Sequence, residues 1–599
     1  MKCGLEIHQR LDTNKLFCNC PSPPTESEVI PSRIIKRRLH PVSSEIGTLD
    51  SAALFEASSD KSFTYLAPYQ YSCLVELDEE PPHKINPEAL LFALELANYF
   101  GSTPVDEVQV MRKTVIDGSD TSGFQRTMLL AVGGSVETSR GHVGIQTICL
   151  EEESAGIIER KKGETLYSLG RLGIPLVEIA TAPEIIDGEH AKEVASIIGE
   201  ILRLSGRVQR GIGTIRQDLN ISVEGGARVE IKGAQELNQL PTLIENEIKR
   251  QNSLLELMNN LKSRFGEFSG FPAYISEVTS VFTNTRCAMI KKMLSQKCGV
   301  FGIRLPKHKG ILGFELCPGI RYGTELSFYA KTAGVGGILH SDEDLSRYSI
   351  SNEELEKLKT RLNLGEDDAF VLVIGDERTA RKALLAVWTR AMELAVPSET
   401  RRANADGTTS YMRPLGGGAR MYPETDIPPI RITKEMLEEI NRRVESKKPH
   451  KIKEKVERLL NNKELASQML KSKHLNLFLS LSEKFGNPSL IAVTLTKTLT
   501  QLRREGFESK NLEITLSDLF SAYSSGLFAK AALPEILKKM VTGKTAQEAV
   551  AELNLSKISG EELRRIILQE ERDISKIMEK YRLRIDSEEL RSAMNSEQK

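Results

Sequence analysis

The sequence is short of several features that would place it in other classes. No apolar run approaches the roughly 18 residues that a membrane span requires, and the opening MKCGLEIHQR lacks the apolar core of a secretory signal. A cytoplasmic location is expected. The eight cysteines, at 3, 18, 20, 73, 149, 287, 298 and 317, are too sparse and irregular in 599 residues for a disulfide framework, and they are expected to be reduced. No G-x-x-x-x-G-K-[ST] occurs, which excludes a nucleotide site of the Walker type. There is no Ser-Ser-Lys cluster in a Gly/Ser-rich setting, and no Cys-His pair suggested by spacing, so the chain has no amidase-like nucleophile of its own. Internal repeats and low-complexity linkers are absent too.

What remains is an ordinary globular composition, 40% hydrophobic and 27% charged, in a chain too long for one core. Its most informative stretch runs from Gln146 to Glu184, QTICLEEESAGIIERKKGETLYSLGRLGIPLVEIATAPE. Glu151, Glu152 and Glu153 close an apolar β-like run; Arg171 precedes a second apolar run that contains Glu178. An ionised carboxylate between Val177 and Ile179 is costly to bury alone, so Glu178 needs a partner. Two remain open. Arg171 would make a core ion pair and leave the Glu triplet as a solvated strand end, whereas a hard cation such as Mg²⁺ would select carboxylate oxygens and keep waters for a phosphate-bearing substrate. At the N-terminus, residues 4–13 alternate apolar and polar as a half-buried strand does, which puts Glu6 and His8 on one face. A histidine beside carboxylates either completes a divalent-ion site or is simply hydrogen-bonded.

Other stretches offer weaker signals. DGSDTSGFQRT (117–127) is a Gly, Ser and Thr-rich turn containing Ser122 that is either a plain loop or a cradle for phosphate or ribose. Arg207, Arg210 and Arg216 lie near a glycine-rich turn and could meet phosphates; Asp218 and Asn220 could hold a cation or a ribose, and Lys232 ends the next strand, ARVEIKG. Asn86-Pro87-Glu88 opens a helix running to Gly101, and residues 234–264 predict a long helix kinked near Pro241.

Five ordered segments, LEIHQRLDTNKLFCNC, LEEESAG, GRLGIPLVEI, RQDLNISVEGGARVEIKG and MYPETDIPP, together resemble the GatB/GatE family of tRNA-dependent amidotransferases, and the long insertion before the fifth is the form taken by archaeal GatE. The resemblance implies an ATP- and Mg²⁺-dependent enzyme that converts Glu-tRNA(Gln) to Gln-tRNA(Gln), with ammonia supplied by an asparaginase-like partner amidase, the D component of the complex. Carried over by motif, it implies Glu6, His8, Glu151 and Glu178 as catalytic residues, with His8, Glu151, Glu152 and Glu178 holding the metal. One extra residue in LEEESAG relative to the LEED-AG of GatB leaves open which of the three glutamates binds. Arg171, Arg216, Asp218, Asn220, Lys232 and Ser122 are then expected around the nucleotide. GatB relatives follow Cys-x-Cys with a second cysteine pair that makes a four-thiolate zinc site. Here Cys18-Asn19-Cys20 is followed instead by RRLHPVSSEIG, which offers only His40, so the expectation is against structural zinc.

The fold expected is an α/β (α+β) catalytic body at 1–283, completed by 403–432, with an inserted α+β domain at 284–402 that resembles the one in bacterial-type aspartyl-tRNA synthetases. All-helical C-terminal domains follow, a basic one at 433–510 and a tRNA-binding tail at 511–599. Residues 434–510 carry 17 basic against 10 acidic side chains, whereas the tail carries 14 against 15. A basic helical arm suits contact with RNA phosphates, and a nearly neutral tail suits reading of RNA shape. Two other readings stay in view, a non-catalytic tRNA-binding accessory protein and an Mg²⁺-dependent ligase acting on a small acid.

Overall fold

A computed structural model describes the chain apart from residues 24–30, 44, 46, 59–60, 162, 267–269, 446–447, 510 and 597–599. The chain forms two compact units, residues 1–202 with 207–445 and residues 203–206 with 446–599.

The first unit is organised by a 12-stranded sheet. Ten of its strands form a continuous path: β1 (Lys2–Arg10), β2 (Met111–Thr114), β3 (Phe124–Val132), β4 (Gly141–Glu152), β5 (Pro175–Thr181), β6 (Ile215–Ser222), β7 (Val229–Lys232), β8 (Glu399–Ala403), β9 (Thr409–Pro414) and β10 (Met421–Pro423). Their spatial order is β9-β8-β7-β6-β1-β5-β4-β3-β2-β10. Every neighbouring pair is antiparallel except β7 with β8, which run parallel. β1 lies between β5 and β6, so the strict alternation of its sequence sorts the centre of the sheet into two faces. On one face Leu5, Ile7, Ile148, Leu150, Val177, Ile179, Leu219 and Ile221 are fully buried. Two helices, α1 (Pro87–Tyr99) and α2 (Gly188–Leu204), contribute to that core through Phe92, Leu96, Val194 and Ile198. Each fully buried Leu or Ile there contributes roughly 1.5–3 kcal/mol. The start of α1 is as expected: the Asn86 side chain accepts from the amides of Glu88 and Ala89, with Pro87 in the first turn. The other face of the sheet carries the charged residues.

Pro241 does not kink a helix. It stands in the first turn of α3 (Leu240–Phe265), where its missing N–H would have had no intrahelical partner. The C-terminal half of α3 supplies Leu254, Leu257, Met258 and Leu261 to the core of the inserted segment, with α4 (Tyr322–Lys331) and α5 (Glu377–Met392). That segment has its own four-stranded sheet, in the order Ile275–Glu277, Gly299–Leu305, Ala369–Gly375, Leu339–His340. Its limits differ from the expected 284 and 402. Ile275–Glu277 already pairs in the inserted sheet, and Glu399–Ala403 is already a strand of the central one. A three-residue strand is too short to show a period in the sequence. The seam is bound by fully buried charges, since Arg250 of α3 meets Glu247 and Glu325, and Arg401 of β8 meets Glu325 and Glu399.

α6 (Lys434–Glu445) belongs to the first unit, where Ile440 and Val444 join the core that holds α1. The second unit is helical. One core runs from Ile452 through Val456, Phe478, Phe520 and Leu537 to Leu555, and a smaller cluster gathers Ile558, Leu563, Ile577 and Leu590. The expected divisions at 433 and 510 differ from these units: the first separates a helix from the core it packs in, and on either side of the second, at Lys510 outside the described residues, Leu502 and Leu516 belong to one core. Helical periodicity marks which face of each helix is apolar, not which helices share a core.

Both corrections can be checked by unfolding. Glu325→Ala leaves two buried guanidinium groups without their shared carboxylate and should cost about 3–5 kcal/mol in denaturant unfolding of the full chain; a cost near zero would show that the seam does not depend on this network. Removing residues 558–599 should preserve the cooperative unfolding of the second unit, whereas removing 511–599 should abolish it; circular dichroism melts of the two truncations distinguish these outcomes.

Candidate functional site

The register of the central strands assembles the charged face. His8 of β1 lies opposite Glu178 of β5 on one side and Arg216 of β6 on the other, and Glu6 lies opposite Asp218. His8 Nε2 is 3.1 Å from Glu178 Oε2 and 3.8 Å from Glu6 Oε1. The ligand atoms of Glu6, His8 and Glu178 all lie within 4.8 Å of one another, a spacing one metal ion can span. Two carboxylates and a half-buried imidazole suit a hard divalent cation that keeps waters or takes phosphate oxygens.

A residue with no signature in the sequence completes this centre. Lys113 of β2 reaches between two carboxylates, 3.0 Å from Glu151 Oε1 and 3.9 Å from Glu178 Oε2, and Gln125 donates to Glu151 Oε2 at 3.2 Å. Burial opposes the charge of Lys113, but Glu151 and Glu178 more than restore it and raise its pKa. Burial pushes Glu178 up, yet Lys113 and His8 outweigh it and hold the carboxylate well below its usual range. For Glu6 nothing outweighs burial and the neighbouring charge of Glu178, and it is pushed up to about 7. For this carboxyl burial is the larger cause and the Glu178 charge the second, and His8 and Lys232 only partly oppose them. Its partners include Asn220, whose Nδ2 donates to Glu6 Oε2 at 3.4 Å. Further along the face Lys232 bridges Asp218 at 2.8 Å and Glu230 at 2.6 Å, and Thr400 donates to Glu230 at 2.9 Å. Glu230 was not expected here, although it shares the period-two face of VEIK with Lys232.

The three consecutive glutamates go to three different places. Glu151 faces Lys113. Glu152 projects from the opposite side of β4, where Oε2 accepts from the Arg126 amide at 3.2 Å and lies 3.4 Å from Arg126 Nη1. The expectation of Glu152 as a metal ligand beside His8 is thus corrected, because strand alternation carries it away from that face. Glu153 ends between Arg10 at 2.8 Å and Arg216 at 2.9 Å. The groups beside Glu178 are His8 and Lys113; Arg171, one of the two partners left open for it, donates instead to the carbonyls of Ser154 at 2.9 Å and Ala155 at 3.2 Å. Ser122 is bonded within its own turn, to Asp120 at 2.8 Å and to the Phe124 carbonyl at 3.1 Å. It lines a recess of only about 10 Å³ with Glu76, Arg126 and Glu152. That is room for a water rather than a nucleotide.

Among the described residues a second group has ligand atoms within 4.8 Å of one another: Cys18, Cys20, Cys73 and Glu76. His40 is not part of it and is exposed.

Residues 1–438 match the profile of the GatB/GatE catalytic domain. The chain belongs to that family. Relatives of this GatB/GatE chain include proteins named as the E subunit of glutamyl-tRNA(Gln) amidotransferase. The chain is 46% identical over 571 residues to the one from Pyrococcus furiosus, covering 95% of this chain and 90% of the relative. To that of Methanocaldococcus jannaschii it is 47% identical over 581 residues, covering 95% and 91%, and to that of Methanococcus maripaludis strain C7 45% identical over 580, covering 95% and 90%. This GatB/GatE chain is therefore an amidotransferase subunit of the ligase type, and the E subunits are the branch it resembles along nearly its whole length. Among its described residues, no helix is long and apolar enough to cross a membrane.

Glu153 gives the face a measurable acid limit. Burial raises its pKa, but Arg216, Arg10 and Arg171 overcome this and hold it at about 2 against 4.5 unperturbed. A folded pKa below the unfolded one gives stability that is complete above about pH 4.5 and is lost as pH falls towards 2. Its size is at most roughly 3 kcal/mol, at 1.36 kcal/mol per pH unit. Unfolding measured between pH 5 and 3 should show a steeper acid loss in the wild type than in Glu153→Gln, which is expected to be less stable at neutral pH; identical slopes would assign the acid limit elsewhere.

Proposed function

We propose that the charged face catalyses the ATP-dependent conversion of Glu-tRNA(Gln) to Gln-tRNA(Gln), in two steps. A carboxylate resists a nucleophile because its oxygen leaves badly, so that oxygen is first made a leaving group. An oxygen of the γ-carboxylate attacks the γ-phosphorus of ATP, ADP departs, and an acyl phosphate forms. Ammonia then adds to the acyl carbon, a proton leaves the nitrogen, and phosphate departs with the C–O bonding pair to give the amide. The observation that carries this reading is the convergence of Glu6, His8 and Glu178 beside Lys113 in a chain of this family.

Glu6, His8 and Glu178 would hold Mg²⁺, with Glu151 bordering the site through Lys113. The ion would supply positive charge against the phosphates where charge develops. Lys113 supplies a fixed positive charge of its own between Glu151 and Glu178. Arg216 and Lys232 flank the site at the ends of strands and are already held by Glu153, Asp218 and Glu230, which fixes their positions before substrate arrives. Asp218 and Asn220 line the same face towards Glu6. Glu151 stays in the proposed catalytic set as the carboxylate that Lys113 shares with Glu178.

Ammonia comes from a second polypeptide in this reading, an asparaginase-like partner amidase, since the sequence carries no amidase nucleophile. The inserted segment is read as an aspartyl-tRNA-synthetase-like domain, and the basic helical unit as the arm that meets tRNA phosphates. The setting is cytoplasmic. The naming of the relatives as one subunit among others supports a multisubunit complex.

The test is phosphate release and Gln-tRNA formation by the full chain with Mg²⁺, ATP, Glu-tRNA(Gln) and ammonium chloride, repeated with the partner amidase and glutamine. Glu178→Gln is expected to lower amidation by about 100-fold or more while tRNA affinity changes little. Equal loss of tRNA binding would make Glu178 structural. Absence of turnover by the wild type in both formats would favour a purely tRNA-binding role.

A further inference from the structure

We propose, resting on the phosphoryl-transfer reading of the charged face, that Arg413 and Arg420 clamp the phosphates of a nucleotide over it, carried there by the glycine strap of residues 415–420. β9 and β10 are the two ends of the strand path, yet only the strap separates them in sequence. Ten strands laid flat about 4.8 Å apart would put those ends about 43 Å from each other. The chain from Pro414 to Met421 reaches about 25 Å at most. The sheet therefore curls, and the strap crosses from its first strand to its last. Leu415 starts the strap by donating its amide to the Ser398 carbonyl at 3.3 Å. Arg420 ends it by donating Nε to the Thr114 carbonyl at the end of β2, at 3.0 Å. The charges of Lys113 and Glu230, on strands near opposite ends of the path, both reach Arg420, so the charged face is the inner one.

Neighbouring arginines are fixed by carboxylates, Arg10 and Arg216 by Glu153 and Arg112 and Arg126 by Glu424. These two are not. Arg413 stands opposite Thr400 of β8, whose other neighbour is Glu230 of β7. Among the described residues Arg413 has neither an ion pair nor a hydrogen bond, and Arg420 has the Thr114 carbonyl and no carboxylate within ion-pair distance. Both are half-buried. Burial and the Arg413 charge pull Arg420 below its usual range by more than Asp50, Glu230 and Asp117 restore. Two cations held together without a counter-ion complement an anion, and the planar guanidinium fork matches phosphate oxygens.

The strap itself is shaped for close approach. The Gly417 amide donates to Asp50 Oδ2 at 2.9 Å, and Ser51 Oγ donates to the Leu415 carbonyl at 3.3 Å, which anchors it. Gly416 makes room for the arginine, since a Cβ there would stand 3.0 Å from Arg420 Cδ. Gly417 and Gly418 are different. Neither has left-handed backbone, and a Cβ on either would meet nothing within 4 Å. No dihedral and no neighbouring atom requires glycine at these two positions, whereas a ligand lying against the backbone would. The groups on the face beneath, Lys113 and the set of Glu6, His8 and Glu178, suit a metal-bridged polyphosphate better than an RNA backbone.

The test measures binding of ATP with Mg²⁺ to the full-length chain, and of tripolyphosphate with Mg²⁺ as a probe that carries the phosphates alone. Wild type is expected to bind both. Arg413→Ala and Arg420→Ala should each weaken both ligands by about 10–100-fold, and Arg420→Lys, which keeps the charge but not the fork, should recover only part of the loss. Should Arg420→Ala fail to fold, Arg413→Ala decides, because its side chain bonds to nothing else among the described residues. In amidation with ammonium chloride, the arginine variants should raise KM for ATP far more than KM for Glu-tRNA(Gln). Gly417→Ala and Gly418→Ala should keep the wild-type Tm and still weaken tripolyphosphate several-fold. Wild type that binds neither ligand, or arginine variants with wild-type affinity for both, would overturn the clamp. A rise confined to KM for Glu-tRNA(Gln) would assign the arginines to RNA phosphates and overturn the nucleotide as occupant. Unchanged affinity in both glycine variants would overturn the close approach of the strap. Wild type that binds both ligands, with loss in the arginine variants, but forms no Gln-tRNA would uphold the clamp and count against the amidation reading alone.

Discussion

Charge balance on one face of a β-sheet is the constraint on which the rest of this structure depends. Glu6, Glu151, Glu178, Asp218 and Glu230 project from neighbouring strands into a half-buried space, and in such a space carboxylates cannot all stay ionised unless cations stand among them. Lys113 and Lys232 meet part of that demand, and Arg10 and Arg216 meet it for Glu153 at the edge. Around Glu6 the demand is unmet: burial, with the charge of Glu178 beside it, pushes Glu6 up to about 7. Elsewhere in a folded protein such an imbalance is only a liability. In the function proposed here it is what would make the face receptive to a divalent ion and to the phosphates that ion carries.

The two faces of the central sheet divide the work cleanly. The apolar face against α1 and α2 holds the strands in register, and that register sets His8 across from Glu178 and Glu6 across from Asp218. A one-residue slip of β1 would carry Glu6 and His8 into the core and Leu5 and Ile7 into solvent. Hydrophobic packing and site geometry are thus one determinant rather than two. The same alternation explains why consecutive glutamates have unrelated surroundings: Glu151 meets Lys113, Glu152 meets Arg126, and Glu153 lies between two arginines.

Much of this is legible in the sequence wherever a period of two runs long enough. The face shared by Glu6 and His8, the buried setting of Glu178 and the helix opened by Asn86 all follow from local pattern. Lys113 does not, since MRKT is too short and too polar to show which side faces inward. Glu230 lies one alternation from Lys232, but a four-residue strand gives that alternation little weight. Glu152 is misplaced by the sequence because a run of identical side chains does not reveal where a strand ends or which of them turns away. Cys73 and Glu76 are silent because C-x-x-E is neither a thiol pair nor close to Cys18; the fold brings it in from more than fifty residues downstream. Domain limits fail for a related reason. The pairing of Ile275–Glu277 and the shared core across residue 510 are tertiary facts, and local periodicity is blind to them.

The parallel pairing of β7 with β8 has a consequence for how the molecule is made. Glu230 and its partner Thr400 are 170 residues apart, and the whole inserted segment lies between them. Closing so long a loop as flexible chain would be slow and entropically costly. If the insert compacts first, the two strand ends arrive already close, as the seam of Arg250, Glu325 and Arg401 keeps them in the native state. During synthesis the edge of the catalytic sheet therefore waits for a separate piece of protein to finish folding, and the ribosome has moved far past β7 before its neighbour exists.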